Sequence, residues 1–210
     1  MVKKTKEEAL ETRNRLLDTA EEVFYIKGVS QTSLCDIANS AGMTRGAIYW
    51  HFKNKTDLFS AMCDRVTLPL ETMTEAVTSE ELEDPLGGLR ETIRFLFRQV
   101  AMDIHYRRVF DILFNKCEFV VELGPIMDRD ERVRDEFQRR FERAFINAEK
   151  RGQLPAGINH RLAVMSYQSF VKGILRSWLL DPEAFDLETD GFRMMEGFFE
   201  MLQVSGALRD

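Results

Sequence analysis

Three cysteines in 210 residues are too few and too scattered to organise a fold. Cys35, Cys63 and Cys117 are odd in number and show neither a disulfide framework nor the spacing of zinc ligands. Free thiols in a reducing compartment are the expectation. Histidine is as scarce, and His51, His105 and His160 lie far apart in the chain. No HExxH, P-loop, GxSxG elbow or Glu-x-x-His iron pair occurs, so nothing in the sequence implies an enzyme, a metal or another cofactor. Strict apolar-polar alternation is missing as well, and so are internal repeats and low-complexity tracts. That leaves a purely helical reading. No apolar run approaches the length needed to span a bilayer. Met1 to Glu11 is polar, unlike a secretory leader, so a cytoplasmic protein is expected.

Basic charge is also in deficit, since the net charge is −6. The deficit is uneven. Residues 1–55 carry nine Lys/Arg against seven Asp/Glu, while the remainder carries 20 against 28. A small electropositive head on an acidic body suits a protein that offers only one end to nucleic acid.

The head holds the most informative stretch, from Thr32 to Lys55. Ser33 and Asp36 have the spacing of a capping box. Leu34, Ile37, Ala38 and Ala41 recur at helical spacing, and Gly42 follows where a left-handed residue is wanted. Thr44 is a second N-cap. The pattern is a helix-turn-helix, with small Ala38 and Ala47 allowing a close crossing. The second helix is dressed for contact: Arg45, Tyr49, Trp50, His51, Lys53 and Lys55 crowd a few turns with no carboxylate among them. Arg45 near the helix start is placed to pair with guanine, and Gly46 leaves room for backbone to approach a groove. Tyr49, Trp50, His51 and Lys55 are types that donate to phosphate, and Thr32, Ser33 and Thr44 offer hydroxyls at helix starts. Phe52 is expected in the core. Lys3 and Lys4 form a basic arm ahead of the first helix.

Thr32, Leu34, Ile37, Ala38, Ala41 and Gly42, the run from Thr44 to Phe52, and Lys55 and Leu58 closely resemble the TetR family of transcriptional repressors. The run Thr44-Arg45-Gly46-Ala47-Ile48-Tyr49-Trp50-His51-Phe52 is most similar to the AcrR-type subgroup, which represses multidrug-efflux operons. That similarity extends to Lys3-Lys4-Thr5-Lys6, Asp84-Pro85-Leu86, Lys116-Cys117-Glu118-Phe119 and Gly152-Gln153-Leu154-Pro155. The resemblance implies a homodimer that binds a pseudo-palindromic operator and leaves it when a hydrophobic or aromatic drug binds the body.

The remaining chain reads as helices, about nine in all, with residues 1–54 as a three-helix DNA-binding domain and 55–210 as a ligand-binding and dimerisation domain. The first helix runs to Lys27 and ends at Gly28. Another starts near Asn54 and passes Pro69, which should kink or divide it; it reads as the only covalent link between head and body. Asp84-Pro85 opens an amphipathic helix. Others span His105 to Phe119, Gly124 to Arg151, and Asn159 to Leu180, and the last begins at Asp186.

Fourteen of the sixteen Phe lie after residue 55. Most are core, yet Phe and Met also line cavities that repack around different ligands. By analogy with the resembled family the inducer cavity is placed at Leu70, Leu89, Ile93, Leu96, Phe110, Phe114, Phe137, Phe141, Gln168, Val171, Leu175 and Arg176. Trp178, Phe198, Phe199 and Met201 exceed what one small body is expected to bury, and Ala163, Ser166 and Gly173 are small enough for a close helix crossing. These seven are therefore the expected dimer interface. Other readings stay open at this point: a related regulator of a metabolic or stress operon and, more remotely, a helical adaptor that binds only protein or an enzyme.

Overall fold

The computed structural model describes residues 6–116 and 124–209, with the side chains of 124–134 and of Phe137 outside that description. Lys3, Lys4, Thr5 and Cys117 to Phe119 lie outside the described residues. The described chain forms nine α-helices: α1 Lys6–Lys27, α2 Leu34–Ser40, α3 Arg45–His51, α4 Lys55–Val77, α5 Pro85–Met102, α6 Ile104–Asp111, α7 Gly124–Lys150, α8 His160–Leu180 and α9 Phe192–Val204. A π-turn, Ile112–Lys116, extends α6, and a second, Leu187–Gly191, precedes α9. Among the described residues there is no strand, only one isolated bridge between Ile158 and Arg209. None of the described helices is long and apolar enough to cross a membrane.

The chain packs as two compact units. One comprises residues 1–67 and 105–128, the other 68–104 and 129–210. The chain thus passes between units three times, and α4 is not the sole covalent connection. α4 itself continues through Pro69, which interrupts one backbone hydrogen bond without dividing the helix.

In the first unit α1 buries Leu16, Leu17, Ala20, Val23 and Phe24 against the helix pair behind it. Leu10, apolar and near the start of the helix, is exposed. Phe24 meets Phe59 of α4 edge-on at 5.9 Å. Gly28 ends α1 with φ of +82°, a conformation that only glycine adopts without strain. The amide of Val29 then donates to the carbonyl of Lys116 in the π-turn at 3.4 Å. α6 is fixed to α1 from a second point, where Glu21 meets His105 and Arg108.

The second unit is built around Tyr167 of α8. Its ring lies 5.0 Å from Phe141 and 6.0 Å from both Phe145 and Phe198, between α7 and α9. Complete burial pushes its phenol well above the ordinary range. Asp84 caps α5 by accepting from the amide of Gly87 at 2.7 Å and from Gln153 Nε2 at 2.6 Å. Those two hydrogen bonds, the Gly87 amide first, hold the Asp84 carboxyl below its usual value. Gln153 also accepts from the amide of Leu86 at 3.1 Å, so one side chain joins the α5 start to the turn after α7. Arg90 reaches α9 with both Glu196 oxygens, at 3.0 and 3.1 Å.

The second unit corrects the expected interface. A single chain buries Ala163, Trp178, Phe198 and Phe199, which are 0%, 5%, 1% and 1% exposed, and the rings of Phe198 and Phe199 lie against Tyr167. Ser166 and Met201 are half-buried and Gly173 is exposed. The large apolar side chains that α8 and α9 do present outward are Leu162, Met165, Phe170, Leu180, Met194 and Val204. Phe170, Gly173, Ile174, Phe185 and Met194 line a shallow concavity on that face.

Candidate nucleic-acid interface

The site begins with two caps and a glycine. Ser33 Oγ accepts from the amide of Asp36 at 3.2 Å, while Asp36 Oδ2 accepts from the amide of Ser33 at 2.9 Å and from its hydroxyl at 2.6 Å. The two bonds to Asp36 Oδ2, the hydroxyl's first, lower the Asp36 carboxyl below its usual range. The two amide bonds satisfy backbone donors that the start of α2 leaves free. Gly42 has φ of +67° and turns the chain out of α2. Thr44 then caps α3, its Oγ1 accepting from the amide of Ala47 at 3.2 Å.

α3 is held from one side only. Ile48 and Phe52 are buried, 0% and 1% exposed, and anchor it to the head. Arg45, Gly46, Tyr49 and Trp50 face solvent, and His51 is half-buried. The indole of Trp50 is 72% exposed, a large apolar group left in water with no fold to support. Its ring meets His51 edge-on at 4.5 Å, and the Arg45 guanidinium lies 5.4 Å from the centre of the Tyr49 ring. The outward face of α3 therefore carries one fixed cation, three rings and no carboxylate. Beside it a concavity runs along Ser33, Asp36, Tyr49, Lys53 and Asn54.

Two expected contacts already engage backbone carbonyls within the head. Thr32 is 2% exposed and its hydroxyl donates to the carbonyl of Gly28 at 2.8 Å, which stabilises the turn and withdraws the group from a ligand. Lys55 Nζ donates to the carbonyls of Val29 at 2.9 Å and Ser30 at 3.4 Å. Lys53, which the sequence offered only as part of a basic run, is exposed at the end of α3. Its amide is taken by Asp57 Oδ2 at 2.9 Å, and Asn54 Oδ1 caps α4 by accepting from Asp57 at 2.8 Å.

The expected cavity residues fall in both units. Leu70, Leu89, Ile93, Leu96, Phe141 and Leu175 are buried in the second, with Gln168 and Val171 half-buried. Phe110 is buried and Phe114 half-buried in the first, their rings 5.9 Å apart. Arg176 is exposed. No group of three or more His, Cys, Asp or Glu able to hold a metal ion occurs among the described residues.

A capped helix-turn-helix backed by a long first helix, in an otherwise helical chain, places this molecule among helix-turn-helix proteins. Residues 16–62 match the family described as bacterial regulatory proteins, tetR family. Residues 84–204 match the C-terminal region of MAATS-type transcriptional repressors. The whole chain is 39% identical over 209 residues to the regulator TtgR of Pseudomonas putida, covering all of both chains. It is 34% identical to AcrR of Shigella flexneri, covering 100% of this chain and 98% of that one. Among solved structures it is similar to NalD, the secondary repressor of the MexAB-OprM multidrug efflux pump in Pseudomonas aeruginosa, with 37% identity and a TM-score of 0.81 over 94% of this chain and 98% of that one. It is likewise similar to SmeT in its triclosan complex, with 30% identity and a TM-score of 0.83 over 93% of each. The chain belongs to the TetR family of bacterial transcriptional regulators.

Proposed function

We propose that this regulator is a repressor of a multidrug-efflux operon, binding a pseudo-palindromic operator as a cytoplasmic homodimer and leaving it when a hydrophobic or aromatic drug binds. The observation that carries the reading is the outward face of α3, where Arg45, Tyr49 and Trp50 stand exposed and carboxylate-free on a helix anchored from behind by Ile48. The efflux assignment is supported by likeness along the full chain to TtgR, AcrR and NalD. Arg45 reads base edges; Ser33, Thr44, Gly46, Tyr49, Trp50, His51 and Lys53 position the backbone, and Lys3 and Lys4 extend the basic arm. Residues 1–54 read DNA and 55–210 bind ligand and a second copy.

One head makes few contacts, so two heads about 34–36 Å apart on successive major-groove faces supply the affinity. The exposed side chains of Phe170, Met165 and Met194 supply the apolar surface for pairing. In the body, Leu89, Ile93, Leu96, Phe141 and Leu175 form the apolar lining that a drug displaces or enters, with Gln168 as a polar orienting group. Release demands differential affinity: inverting a 99:1 population takes about 5.5 kcal/mol in favour of the released state.

The test is fluorescence anisotropy of a labelled duplex from the region upstream of its own gene, at two salt concentrations, against an unrelated duplex. Tight, salt-sensitive and selective binding that triclosan or another planar aromatic drug reverses is the expected result. Equal weak binding to both duplexes overturns the repressor reading. Selective binding that no such drug reverses keeps the repressor and removes the efflux assignment.

A further inference from the structure

The recognition helix has only seven residues and little of its own to fix its orientation. The chain on either side of it is pinned by cations. Before α3, Arg15 of α1 reaches across to α2, and its Nη2 donates to the carbonyl of Ala41 at 2.8 Å. That carbonyl lies at the negative end of α2, immediately ahead of the Gly42 turn, where a guanidinium satisfies an acceptor left over by the helix. After α3, Lys55 opens α4, and its ammonium bridges the carbonyls of Val29 and Ser30 in the turn between α1 and α2. Ala41 stands four residues ahead of Arg45 and Lys55 four residues beyond His51, so the two attachments bracket the reading helix in the chain.

Val29 and Ala41 are themselves tied into the backbone. Val29 receives the Thr32 amide at 3.4 Å, its own amide goes to Lys116, and the Ala41 amide returns to Ile37 at 2.9 Å. The cations therefore dock on fixed backbone and not on mobile loop. Lys53, two residues from Lys55, is the one whose side chain stands exposed.

We propose that Arg15 and Lys55 are positioning residues for DNA reading, internal clamps that hold the chain on both sides of α3, and that Lys55 is not a phosphate ligand. The inference rests on the DNA-binding reading of α3. A clamp and a phosphate contact leave different traces in salt: each phosphate contact contributes about 0.9 to the slope of log affinity against log salt, whereas a clamp contributes none.

The experiment uses the full chain with the upstream duplex and an unrelated duplex across a salt series. Lys55→Gln and Arg15→Gln are expected to lower cognate affinity by about tenfold or more, the scale of a lost charged hydrogen bond. Affinity for the unrelated duplex and the salt slope should stay unchanged, and Lys55→Arg, which still donates to carbonyls, should keep most of the cognate affinity. A shallower slope with equal losses on both duplexes, or no loss at all, overturns the proposal. Should a variant fail to fold, reductive methylation of the unsubstituted protein decides. A clamped Lys55 is methylated slowly with or without DNA while Lys53 is methylated fast when free. A Lys55 that reacts as fast as Lys53 in the free chain overturns the inference by itself. If the unsubstituted protein shows no duplex preference, the repressor reading falls, and this methylation pattern still judges the clamp.

Discussion

Glu21 Oε2 lies 2.9 Å from His105 Nδ1, joining α1 to α6 through a carboxylate whose side chain is 2% exposed and an imidazole that is 45% exposed. Glu21 Oε1 has Arg108 at 3.5 Å but no hydrogen bond, and among the described residues it is the one buried side-chain oxygen or nitrogen so placed. Burial raises the Glu21 carboxyl above its ordinary range. The hydrogen bond from His105 and the charges of His105, Arg108 and Arg65 offset that only in part. The folded state therefore holds this proton more tightly than the unfolded chain. Its contribution to stability is present at low pH and lost as pH rises through the raised value.

Glu21→Gln removes that loss. The melting temperature of the variant relative to the unsubstituted protein should rise between about pH 4 and about pH 7. Thermal melts at the two pH values check it, and a difference that stays constant or shrinks contradicts the account of Glu21.

Arg45→Ala removes the one cation fixed over the outward face of α3, where Tyr49 supports it at 5.4 Å. Operator affinity should fall by about 1–3 kcal/mol and discrimination at one base pair of each half-site should relax. Competition with single-base operator variants measures both. Unchanged preference would mean that another residue reads the operator.

Gly42→Ala places a Cβ at φ +67°, where the nearest atom, Arg15 Nη2, is 3.7 Å away. Space is adequate, so the cost is backbone strain of about 1–2 kcal/mol. Urea unfolding should show a lower midpoint with an unchanged slope.

Phe170→Asp alters a side chain that is 40% exposed beside Met194 at 44%. It should yield monomers by light scattering, with a matching loss of operator affinity and little loss of monomer helicity. Trp178→Ala acts differently, because Trp178 is 5% exposed in a single chain. Cavity formation should cost about 3–5 kcal/mol of fold stability. If Phe170→Asp stays dimeric, pairing uses another face.

Local interactions in the sequence determined the helices and their ends. Ser33 with Asp36, Thr44, Asp84, Asn159 and Asp186 all cap as their spacing foretold, since a cap involves residues only two or three apart. Gly28 and Gly42 take positive φ where helices end. The helix-turn-helix and the family followed from the same short-range pattern.

Tertiary packing decided which groups remain available. Thr32 and Lys55 have the chemistry of phosphate donors, but the Thr32 hydroxyl donates to Gly28, and the Lys55 ammonium donates to carbonyls of the α1–α2 turn more than twenty residues away. Phe198 and Phe199 have the size of interface anchors, but the Tyr167 cluster absorbs them, and Trp178 is buried within a single chain as well, leaving Phe170 and Met194 outside. The pairing of Glu21 with His105, 84 positions apart, carries no local signal at all. Residue type sets what a side chain is able to bind; only the folded neighbours determine whether that capacity is already spent.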